Sequence, residues 1–126
     1  MQLFRPTGLR ELELVRDSGW RRWPLRLPDQ PIFYPVTTFE YAEKIARDWN
    51  SPGPGNLGFV TRFVIGEALV ARYPVQLAGG RDHAELWVPA EELDAFNAGL
   101  DGRIELIAGY RDRLRLTEEE LAVYRG

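Results

Sequence analysis

Apolar positions along the chain change their period several times, and each change marks an element. "QLFRP" at 2–6 reads as a short strand stopped by Pro6. Leu9, Leu12 and Val15 then fall on one helical stripe, with Thr7 as N-cap and Gly19 as the stop. Segment 20–31, "WRRWPLRLPDQP", has three prolines and no period, which predicts a long loop. Trp20 and Trp23 within it must pack on something, either as a lid over a pocket or as a cover for the core.

"IFYPV" at 32–36 predicts a strand, and Thr37 with Glu40 forms a capping-box pattern for the helix that follows. Tyr41, Ala42, Ile45, Ala46 and Trp49 make that helix's apolar face. A Pro/Gly-rich loop, "NSPGPGNLG", ends it. "GFVTRFVI" at 58–65 alternates like a strand and is apolar enough to lie centrally in a sheet. "YPVQLAGG" at 73–80 and "AELWVP" at 84–89 predict two more strands. "PAEELDAFNAGL" at 89–100 predicts a helix with Leu93, Phe96 and Leu100 inward, and "GRIELIAGY" at 102–110 a further strand. "LTEEELAVYRG" repeats the Thr-x-x-Glu box and predicts a final short helix.

No helix is evident between 59 and 88, so an all-parallel, doubly wound sheet is disfavoured. The expected fold is α+β, a compact mixed or antiparallel sheet of five to six short strands with three to four helices. At 126 residues the chain is expected to make one domain, 1–126.

Composition narrows function mainly by exclusion. An apolar fraction of 44% and a charged fraction of 28% are those of a globular protein, and no run reaches the ~20 apolar residues of a membrane span. No secretory signal is read at the start, so a cytoplasmic protein is expected. Fifteen of the sixteen basic residues are Arg, yet the net charge is -3; non-specific nucleic-acid binding is not expected, while a local Arg-lined anion site is open. The absence of cysteine removes disulfides, thiol nucleophiles and zinc-cysteine sites. His83 is the only histidine, and Ser18 and Ser51 are the only serines, neither in a nucleophile elbow. No dinucleotide fingerprint or phosphate loop is present.

Polar residues at strand ends remain. Arg5 sits among apolar neighbours, where a guanidinium needs an anionic partner; a salt bridge or a snorkelling surface position would also satisfy it. Tyr34 lies on a strand, and Thr37 and Thr38 lead into a helix. Glu85 enters an apolar strand, either as a solvated edge residue or as a carboxylate at a cleft, and His83, two residues earlier, shares its face.

The order of these motifs, "LFRP", "IFYPVTTFEYAEKIA", "GFVTRFVI" and "HAELWVPAEEL", resembles the ADP-ribosyltransferase superfamily in compressed form. Over residues 2–108 the chain is also similar to short bacterial proteins labelled ADP-ribosylation/crystallin J1. The resemblance implies NAD as substrate, with transfer of ADP-ribose to an unidentified acceptor or cleavage of NAD. It makes Glu85 and Arg5 catalytic, Arg5 also holding a pyrophosphate or ribose oxygen. Tyr34 would stack on the nicotinamide ring, Thr37 or Thr38 would supply a hydroxyl, and His83 would stand at the acceptor-selecting position. Two alternatives stay open: a catalytically inactive relative binding a nucleotide or protein as a regulatory or immunity module, and an unrelated interaction domain using the "WRRW" tryptophans as anchors.

Overall fold

A computed structural model describes residues 1–77 and 83–126. In chain order its elements are β1 (Gln2–Thr7), α1 (Leu9–Asp17), β2 (Ile32–Phe33), α2 (Phe39–Ile45), β3 (Leu57–Val64), α3 (Glu67–Val70), β4 (Val75–Leu77), β5 (Ala84–Leu86), β6 (Val88–Pro89), α4 (Leu93–Ala98), β7 (Glu105–Arg111), β8 (Leu114–Arg115) and α5 (Glu118–Arg125). The fold is α+β and every strand pairing is antiparallel. Among the described residues there are eight short strands and five α-helices, more than expected because the strand read at 84–89 divides into β5, which pairs with β4, and β6, which pairs with β2, and because β8, a two-residue hairpin arm, and α3, a single turn, are too short to set a period. The expected strand at 73–80 is seen as Val75–Leu77, and its last three positions, 78–80, lie outside the described residues.

The main sheet runs β1-β3-β7-β8, with β3 central as its apolar pattern predicts. Val36 extends it beyond β1. Its N–H and C=O exchange hydrogen bonds of 2.7 and 2.9 Å with Phe4, and on its other side it bridges to Glu85 of β5, which pairs with β4. Pro6 does not stop β1, which continues to Thr7. The backbone of Phe4 faces Val36, so by the alternation of a strand Pro6 turns its missing N–H to that same side, past the end of the pairing, and no ladder bond is lost.

Alternation on β1 separates two cores. Leu3 packs with Trp23, Phe33, Phe63 and Phe96 on one face. Phe4 packs with Val36, Val60, Ala42 and Ala46 on the other, under α2. Within loop 20–31, Trp23 is buried, its backbone clamped by Asn97 of α4 through bonds of 2.8 and 3.0 Å. Gly19 and Trp20 close α1 as a Schellman motif, Gly19 N–H to Arg16 O and Trp20 N–H to Val15 O, both with positive φ. The tryptophans therefore cover the core.

Three helix details differ from the pattern reading. Thr7 does not cap α1; paired to Phe59 in the sheet, it is buried, and Gly8 takes the cap position. Thr38, not Thr37, caps α2, accepting from Tyr41 N–H at 3.2 Å, because Thr37 N–H is bonded to Ala84 O at 3.1 Å. Trp49 points outward, 73% exposed, because residues 46–50 form a π turn closed by Ser51 N–H on Ala46 O, and the added residue rotates the face. The last box holds as read: Thr117 Oγ1 accepts from Glu120 N–H, and the Glu120 carboxylate accepts from Thr117 N–H.

Candidate functional site

Strand alternation decides where the candidate residues point. Phe4, Val36 and Glu85 form one row of cross-strand partners and so share a face, the one α2 covers. Tyr41, in the first turn of α2, stands over Glu85 and donates its hydroxyl to Oε2 at 2.5 Å. Trp87, two residues along the chain, donates its indole N–H to Oε1 at 3.0 Å. Among the described residues each carboxylate oxygen thus has a donor, and Glu85 is 9% exposed. Tyr41 also stacks on His83, ring centroids 4.5 Å apart and planes 17° from parallel, so one side chain ties together the two titratable groups that the sequence places on one face. Burial, and next the bond to Glu85, raise the Tyr41 hydroxyl well above its ordinary pKa, which keeps it a donor.

Beside Glu85 opens a cleft of about 560 Å³. Tyr34 and Trp87 give it aromatic walls, and the end of loop 20–31 gives it Arg26, Asp29 and Gln30. The same loop that covers the core with its tryptophans therefore builds a cleft wall with its second half. Ala90 N–H on Pro31 O, 2.8 Å, fastens that wall to the segment after β6.

Arg5 is not on that surface. It follows Phe4 and projects from the opposite face, where its guanidinium lies 4.6 Å from the Phe33 ring centroid and 5.7 Å from that of Tyr34. It is 6% exposed and held by Glu11 of α1, Nε at 2.6 Å and Nη2 at 3.0 Å. Its anionic partner is part of the protein, the salt-bridge alternative that its apolar setting left open. Thr37 and Thr38 are used locally, Thr37 on Ala84 O and Thr38 as the cap of α2. Of the residues singled out in the sequence, Tyr34 and Glu85 meet in the cleft, His83 joins them through Tyr41, and Arg5 supports the aromatic wall from behind.

Tyr41, Trp87 and Arg26 were not expected here. Trp87 was legible in principle, since it lies two residues from Glu85 on an extended segment. Tyr41 fits an inward helix position equally well as a core residue, and Arg26 sits in a loop without period. A separate hollow of about 490 Å³ holds Arg62, Arg103 and Arg125, but Arg62 is paired with Glu105 and Arg125 with Glu118 and the Leu106 carbonyl.

No family model, curated protein or solved structure matches this chain. Among the described residues no helix is long and apolar enough to cross a membrane.

Proposed function

We propose that the Glu85 cleft binds NAD and that the protein is an ADP-ribosyltransferase-like enzyme, moving ADP-ribose to an acceptor or to water. The observation that carries this reading is one carboxylate, nine-tenths buried and oriented by two donors, opening beside an exposed aromatic residue, Tyr34, in a cleft of ligand size. Such a carboxylate suits a reaction in which the bond from nicotinamide to the ribose C1′ breaks with both electrons leaving on nicotinamide. Glu85 accepts a hydrogen bond from a ribose hydroxyl and stabilises the positive charge that develops on the sugar; the acceptor or water then attacks C1′ and loses a proton. Tyr41 and Trp87 hold the carboxylate in place, and Tyr34 offers its ring to nicotinamide. Arg5 keeps Phe33 and Tyr34 in position and does not touch the ligand.

The test is nicotinamide release from NAD by the purified protein, beside Glu85→Gln, with cell lysate as a source of acceptors and mass spectrometry as readout. Release by the parent, reduced by about 100-fold or more in the variant, is the expected result. Equal release, or none from folded protein, rejects the enzyme. A second reading, a non-catalytic nucleotide-binding module, is favoured by the engagement of Arg5 with Glu11, which leaves the first motif away from the cleft. It predicts NAD binding without turnover.

A further inference from the structure

Arg26 is the feature of the cleft that the reaction above does not use. Its side chain is 10% exposed, and its buried Nε has no hydrogen-bond acceptor among the described residues. Its nearest carboxylate, Glu11, stands 3.8 Å from Nη1 and already takes two bonds from Arg5. Two guanidiniums thus share one carboxylate next to the aromatic rings of Phe33 and Tyr34. Burial, and then the like charge of Arg5, lower the Arg26 pKa, which states the same imbalance. An unmatched buried guanidinium is costly unless an anion reaches it.

The rest of the cleft says what else that anion carries. Tyr34 and Trp87, 42% and 40% exposed, offer ring surface. Glu85 and Asp29 accept from hydroxyls and repel additional negative charge, which disfavours a long polyanion. We propose that the cleft is a nucleoside-phosphate site in which Arg26 takes the phosphate, the aromatic walls take the base or ring, and the carboxylates take the sugar hydroxyls. This inference rests on the same cleft as the proposed function and names its anion contact, but it requires no bond cleavage.

Calorimetric titration of the intact protein with ADP and with adenosine tests it, on the parent, Arg26→Gln, Arg26→Lys and, as control, Arg103→Gln, each confirmed folded by thermal melting. The parent and the control are expected to bind ADP at least about tenfold more tightly than adenosine. Arg26→Gln brings the two to within about twofold, and Arg26→Lys, which keeps the charge but loses the planar fork, falls between. If Arg26→Gln does not fold, the Lys variant carries the comparison. Equal affinity for the two ligands in the parent, no binding of either, or a preference unchanged in the Arg26 variants overturns the proposal. ADP preference lost with Arg26 in a protein that releases no nicotinamide keeps the phosphate site and rejects the enzyme. Nicotinamide release that is indifferent to Arg26, with no ADP preference, does the reverse.

Discussion

Glu85 and Arg5 are both charged groups in a sheet, and each is satisfied by the chain itself in a different way. Glu85 has two neutral donors and access to a cleft; Arg5 has a bidentate carboxylate and is sealed by aromatic rings. Tyr41→Phe therefore removes the stronger-placed donor from a carboxylate that stays buried, and is expected to lower stability by about 1–2 kcal/mol in urea unfolding. On the proposed function it also reduces nicotinamide release, since Glu85 then loses the donor at its Oε2. Glu11→Gln leaves two guanidiniums facing each other without a countercharge, and a larger loss, about 3 kcal/mol, is expected in the same measurement. Residue chemistry of this sort was only partly legible. An Arg among apolar residues announces a need for an anion, but the choice of Glu11 over a ligand depends on which face of β1 Arg5 takes.

At the scale of elements, the period of apolar positions found the long helices and strands and failed where a neighbour overrode local preference. The Thr37–Glu40 spacing places the cap of α2 at Thr37, and the bond from Thr37 N–H to Ala84 O moves it to Thr38. Thr38→Ala is expected to cost about 1 kcal/mol by thermal or urea unfolding, and Thr37→Ala clearly less. The π turn at 46–50 lies against β3, where a Cβ on Gly58 would stand 2.1 Å from Ala46 O. Gly58→Ala must push α2 and β3 apart, and a loss of about 3 kcal/mol is expected, with a lowered melting temperature. The β7–β8 hairpin carries no turn signal in the sequence because its turn uses Asp112 and Arg113 at positive φ in place of the usual Asn-Gly pair.

At the scale of the whole molecule, phenol hydroxyls tie α2 to strands on either side of it through carboxylates. Tyr41 donates to Glu85, and Tyr110 of β7 donates to Glu43 of α2. Burial first, and the carboxylate bond second, raise both hydroxyls well above the ordinary tyrosine value. A proton held more tightly in the folded than in the unfolded state stabilises fully below the unfolded value of about 10 and progressively less above it. Stability is therefore expected to be flat with respect to these groups at neutral pH and to fall from about pH 10 upward. Absorbance at the tyrosinate band should show Tyr41 and Tyr110 ionising only with unfolding; their titration near the ordinary value in folded protein would contradict this. The sequence by itself determined the α+β class, the central position of β3 and the helix faces of α1 and α4, because periodicity and capping act over a few neighbouring residues. Only the tertiary structure decided that Val36 threads between β1 and β5, that Arg5 and Glu85 leave the sheet on opposite faces, and that loop 20–31 brings Arg26 to the cleft. Those outcomes follow from strand register and from packing between segments far apart in the chain, which no local pattern encodes.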